Sequence, residues 1–189
     1  MIIVFGHSGQ GDPRFGGLNW GLAHRTIPPS ALDRTGATQK FVNIMKTKIK
    51  WIDGVSFVAE SGSGHAIVID GAPEHGGRNI GVRPVELLLM GAAACSAFDV
   101  VHILKKARQP VADCVVEAEG ERAETDPRVF TKIHLKFAVA GRGLDARQVE
   151  RAVQLSKDKY CSATIMLAKT AEITCEIDVV EGDRVPNRP

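Results

Sequence analysis

The stretch "LLLMGAAACSAFDVV", Leu87–Val101, decides the fold. It is the most apolar run in the chain, its centre is built from Gly91, Ala92, Ala93 and Ala94, and one thiol, Cys95, follows them directly. Pro84 and Glu86 stand just ahead. Proline suits the first helical position because its missing N–H would have no partner there, and an early acid complements the helix dipole. Pro110 stops the run, with Lys105, Lys106 and Arg108 before it, so the sequence predicts a helix from Pro84 to about Gln109. Between Leu87 and Phe98 no face of it is polar, and such a helix has to be covered on nearly every side. Asp99 and His102 break the run before the ~20 apolar residues of a membrane span accumulate, so no membrane partner is expected.

Upstream of this helix, "KTKIKWID", "GVSFVAES" and "HAIVIDG" alternate polar and apolar residues through Gly-rich turns, the pattern of an antiparallel meander. The segment "GAPEHGGRNIGVR" is a loop. Downstream, "DCVVEAEGERA" and "VFTKIHLKFAVAG" alternate on either side of "AETDPR", which predicts a long hairpin from Asp113 to Ala140. "LDARQVERAVQLSKDKY" then places Val149, Ala152, Val153 and Leu155 at helical spacing. A short apolar helix opens at Cys161 and Ser162, and "EITCEIDVVEG" alternates as a final strand. Strands, helix, strands, helices and strand in that order give an α+β domain of two layers with a central helix.

The ends read differently. Residues 1–44 are crowded with Gly, Pro, Ser and Thr without periodicity, and are expected to be a disordered N-terminal extension, with folding and even translation starting at Met45. Within them, "GHSGQG" has a glycine one place too early for a serine-hydrolase elbow, and "GQGDPR" lacks the glycine that would open a dinucleotide-binding helix. Residues 183–189 read as a flexible tail.

With 189 residues the chain has room for one ordinary domain. Lys and Arg number 24 against 22 Asp and Glu, scattered along the chain, so no nucleic-acid footprint is present and a small metabolite or a protein is the expected partner. The four cysteines, Cys95, Cys114, Cys161 and Cys175, contain no closely spaced pair, so no metal is expected. "MIIVF" is too short for a signal-peptide core, and a reducing cytoplasm, where thiols rest unpaired, is the expected location.

Read alone, Cys95 is a small hydrophobe filling a tight helix crossing. Apolar burial raises a thiol pKa while a helix start lowers it, so Cys161 is the more easily ionised of the two, and Asp99, one turn beyond Cys95, opposes ionisation there. Asp99 and His102 are spaced to pair with each other, and Cys114 and Cys175 sit in strand patterns as packing residues.

"RPVELLLMGAAACSAFDVV" followed by "LSKDKYCSATIML" resembles the OsmC/Ohr family of osmotically inducible and organic hydroperoxide resistance proteins, in particular its OsmC-like branch. The resemblance runs from Met45 to about Gly182. It implies an OsmC-like fold of curved antiparallel sheets around a long central helix, in an intertwined homodimer with sites at the subunit interface. It further implies a thiol peroxidase of oxidative-stress defence, without bound cofactor, in which Cys95 attacks an organic or hydrogen peroxide, Cys161 resolves the product as a disulfide, and a dithiol reductant reopens it. Glu86 is the candidate for the acid that holds a thiolate-stabilising arginine. The chain departs from that pattern at two places: Arg78 is the one arginine between Met45 and Ile80, and Val85 occupies the position directly after the proline. Nine residues separate Glu86 from Cys95, two and a half turns, so on one helix they face opposite ways. Glu86 would serve the site from before the helix proper or from the second subunit, or would act only on the helix dipole. The alternative function is a dimeric module that keeps the scaffold and holds a small apolar ligand.

Overall fold

Three strands, β1 (Thr47–Asp53), β2 (Ser56–Ser61) and β3 (Ala66–Ile69), form the expected meander in the computed structural model, which describes residues 44–186. Their pairing is antiparallel, β1–β2–β3 in order. The expectation for the N-terminal extension lies outside the described residues; everything below concerns the compact unit that begins at Met45.

Asp70 organises the loop that follows. Its buried carboxylate accepts hydrogen bonds from Ser56 Oγ (2.8 Å) and from the backbone N–H groups of Gly71 (2.9 Å), Arg78 (2.9 Å) and Ile80 (3.1 Å). Gly77 passes so close to Gly71 in this loop that no side chain would fit there. Arg78 turns outward to Asp53 (3.3 Å) and Ser56 (3.3 Å).

The central helix α1 spans Pro84–Lys106. It ends before Gln109 because Arg108 adopts a left-handed conformation, φ 56°, that no helix can continue. Ala92, Ser96, Val100 and Leu104 are its buried residues, at the three-to-four spacing of one stripe. By length and composition this helix is apolar enough to cross a membrane, so the expectation that Asp99 and His102 interrupt it too soon is corrected. A core helix has the same composition, and here the buried stripe joins the hydrophobic core of the domain.

That core lies against a second sheet of β4 (Val111–Arg122), β5 (Phe130–Gly141) and β6 (Glu172–Val180). Ile133, Leu135, Phe137 and Val139 project from β5 toward Val100 and Leu104, and Val149, Ala152 and Val153 close the end from helix α2 (Ala146–Leu155). The alternation read from the sequence is thus the alternation of core and solvent. β4 and β5 form the predicted antiparallel hairpin, whereas β5 and β6 run parallel, with Lys132 opposite Glu172 and Ala140 opposite Val180. This corrects the wholly antiparallel expectation. Parallel neighbours need a long crossover, and here α2, a π-helical turn (Ser156–Tyr160) and α3 (Ser162–Leu167) carry the chain back to the start of β5. Past β6, Asp183 pairs with Arg142, and the Val185 N–H donates to Asp113 (2.9 Å), so the first residues of the C-terminal segment are tied to the sheet.

Candidate active site

The crossover places Cys161 against α1. The π turn closes with the Cys161 N–H donating to the Ser156 carbonyl (2.8 Å), a five-residue step, and Cys161 then caps α3, its sulfur accepting the Thr164 N–H at 3.5 Å. Single π turns of this kind are common where a functional side chain must be re-aimed. Cys161 is fully buried, at 0% exposure, against α1. Ser96 Oγ donates to its sulfur at 3.2 Å, and the Ala92 carbonyl lies 4.0 Å from it.

Cys95 occupies the same place from the α1 side and is half-buried. The sulfurs of Cys95 and Cys161 and a carboxylate oxygen of Asp99 all lie within 4.8 Å of one another. The two thiols, 66 positions apart in sequence (161 minus 95), are therefore neighbours through the fold alone. Both are free.

The surroundings treat them unequally. Burial pushes the Cys95 thiol up, and neighbouring Cys161 and Asp99 add to that, with the Ala163 N–H pulling the other way. Burial also acts to raise Cys161, but hydrogen bonds from Ser96, Thr164 and Cys95 outweigh it and hold that thiol below its ordinary value. These surroundings favour the same order of acidity that the sequence leads one to expect. Donors around Cys161 favour its ionised form over that of Cys95.

Asp99 does not pair with His102. Its carboxylate accepts from Ser156 Oγ at 3.2 Å, and His102 instead lies parallel to the Phe98 ring, centroids 6.0 Å apart at 7°. An exposed i,i+3 ion pair contributes only about 0.2–0.5 kcal/mol, whereas a partly buried hydrogen bond to a charge is worth about 1.5–3 kcal/mol, so the contact delivered by packing wins. Ser96, Ser156 and Thr164 were not singled out in the sequence. Only Ser96, beside Cys95, carries a signal there; Ser156 and Thr164 matter through contacts that no local spacing reveals.

Glu86 lies in the first turn of α1, its Oε2 accepting the Arg83 N–H (2.9 Å) and its Oε1 the Arg83 guanidinium (2.9 Å). These bonds, the backbone one first, hold its pKa below the usual value. Nine residues of helix, about 13 Å of rise, separate it from Cys95 of the same chain. Cys114, pushed up to about 11 by burial and then by Asp113, and Cys175, raised by burial, pack against the core as expected.

Fold and site together define an α+β protein whose long central helix and crossover bring two free thiols, one buried and one half-buried, side by side. Residues 75–176 match the family model described as OsmC-like protein. The chain is 48% identical over 139 residues to protein YhfA of Escherichia coli K12, covering 72% of this chain and 98% of that one. A hypothetical protein of Aquifex aeolicus superposes with a TM-score of 0.66 at 28% identity, over 75% of this chain and 99% of that one. A Legionella pneumophila structure described as an organic hydroperoxide resistance protein OsmC shares the fold, with a TM-score of 0.57 at 18% identity over 74% of this chain and 100% of that one. The chain belongs to the OsmC-like family.

Proposed function

We propose that this protein is a cysteine-based peroxidase that reduces organic or hydrogen peroxides through Cys95 and Cys161, in oxidative-stress defence in the cytoplasm. The observation that carries the reading is the juxtaposition of the two free sulfurs within 4.8 Å. Cys95, the less buried, is the one a peroxide meets; its proton passes to the Cys161 thiolate as its sulfur attacks the peroxide oxygen. The O–O bond breaks, the alcohol leaves with that proton, and Cys95 becomes a sulfenic acid. Cys161, again a thiolate, attacks the Cys95 sulfur; the S–O bond breaks and hydroxide leaves, taking a solvent proton to form water. A dithiol reductant then restores both thiols by exchange.

The active form in this reading is a homodimer. Exposed on the one chain are Phe98 (72%), Trp51 (62%) and Leu88 (56%), and Phe57, Ile67 and Ile69 line an open groove of about 770 Å³ together with Ile49, Leu87 and Leu88. A second copy would cover these faces, as an all-apolar helix requires. In that assembly Glu86 acts as the residue that positions Arg83, so that a guanidinium from the second subunit can stand beside the thiol pair. The same groove supports the second reading, a module holding a small apolar ligand. Native mass spectrometry that finds a small molecule retained, on a protein inert to peroxide, would favour it.

Stopped-flow consumption of cumene hydroperoxide tests the peroxidase. The wild type should react stoichiometrically before reductant is added, Cys95→Ser should lose the reaction, and Cys161→Ser should accumulate the sulfenic acid. Equal rates in wild type and Cys95→Ser would sink the proposal.

A further inference from the structure

Asp99 is the group that peroxide reduction leaves without a part. It lies one helical turn after Cys95, on the same face of α1, with a carboxylate oxygen within 4.8 Å of both sulfurs. A negative charge so placed works against a thiolate nucleophile, yet the surroundings hold it there: Ser156 Oγ donates to Asp99 Oδ2 at 3.2 Å. The Cys161 sulfur is aimed in the same manner: Ser96 Oγ and the Thr164 N–H donate to it at 3.2 and 3.5 Å. Three donors that are anionic when they hold a cation, with outer hydrogen bonds on the Asp99 oxygen and the Cys161 sulfur, are the arrangement that metal sites use to fix their ligands.

We propose that Cys95, Asp99 and Cys161 form a binding site for a thiophilic d10 cation of the zinc class, which caps the reduced thiol pair. This rests on the pair being the redox site and adds its regulation. Two sulfurs and one oxygen at tetrahedral bond lengths of about 2.3 and 2.0–2.2 Å stand about 3.4–3.8 Å apart, a closure of about 1 Å by side-chain rotation. Thiolate donors select zinc, cadmium or cuprous ions over magnesium and calcium. The fourth position stays open to water. On binding, whatever protons the two sulfurs carry are released to solvent and nothing is oxidised: the cation takes the place of protons. The capped sulfurs no longer attack peroxide; once the ion has dissociated and the pair is oxidised, the Cys95–Cys161 disulfide offers no thiolate for it to rebind. No closely spaced cysteine pair announces this site; the fold assembles it from positions 95, 99 and 161.

Cobalt(II) is the probe, added to the reduced full-length protein. The expected result is one equivalent per chain, a thiolate-to-cobalt charge-transfer band with tetrahedral d–d bands, and their loss on adding zinc. Cys95→Ser and Cys161→Ser should abolish the charge-transfer spectrum, and Asp99→Asn, near-isosteric and still able to accept from Ser156, should weaken binding at least tenfold. Cys114→Ser should behave as wild type. Absence of one-equivalent binding in the reduced wild type, or binding unchanged in Asp99→Asn, would overturn the inference. The readout needs no peroxide: an active peroxidase without the cobalt spectrum sinks this inference alone, and the spectrum in a protein inert to peroxide sinks only the peroxidase.

Discussion

Asp70 gathers a loop around one carboxylate. Four donors hold it down at about 2 from an ordinary 3.8, the Ile80 N–H contributing most and Ser56 next, against a raising effect of burial. Because the folded value lies below the unfolded one, this anion stabilises the fold at pH above about 4, and that contribution disappears as pH falls toward 2. Asp70→Asn keeps the shape but cannot accept from all four donors. The difference in thermal midpoint between wild type and variant should be largest near pH 7 and shrink between pH 4 and 2; a constant difference across that range would contradict the assignment. At this scale the sequence was partly legible. Cys95 and Cys161 stood out because each sits where a helix defines its environment. Asp99 is legible as a charge opposing Cys95, but its spacing points to His102, and Ser156, 57 residues away, is close only after the crossover has packed.

α1 carries the element scale. Its apolar character on every face is readable, and so is its start at Pro84, because both follow from local chemistry. Its end falls earlier than Pro110 suggests, since the left-handed turn at Arg108 has no glycine to mark it. The parallel pairing of β5 with β6 was equally hidden: alternation tells which face of a strand is buried, and says nothing of the direction of its neighbour. The stripe that anchors α1 supplies a prediction. Leu104 is fully buried among β5 and α2 side chains, so Leu104→Ala should lower stability by about 2–5 kcal/mol, measured by urea unfolding, without changing the stoichiometry of peroxide consumption. A variant as stable as wild type would show that α1 is not seated as described.

For the whole molecule, the decisive feature is what one chain leaves uncovered. A Cβ added at Gly91 would meet nothing within 4 Å, so the glycine in the middle of α1 answers no packing need inside the subunit. In a helix interior it is less favourable than other residues by up to about 1 kcal/mol, which makes its presence costly unless a second helix approaches there. Gly91→Leu should therefore leave the single chain folded and shift sedimentation from dimer to monomer. A variant that remains dimeric would place the interface elsewhere. In the proposed homodimer, assembly and redox chemistry would be linked, because the exposed apolar face of α1 belongs to the same helix that holds Cys95.

The central claim is that the fold pairs Cys95 with Cys161 for oxidation by peroxide. Peptide mapping by mass spectrometry after one equivalent of cumene hydroperoxide tests it most directly. The prediction is a single disulfide joining Cys95 to Cys161, with Cys114 and Cys175 still free and one equivalent of hydroperoxide consumed. Both thiols remaining free, or a disulfide that leaves either of them out, would contradict it.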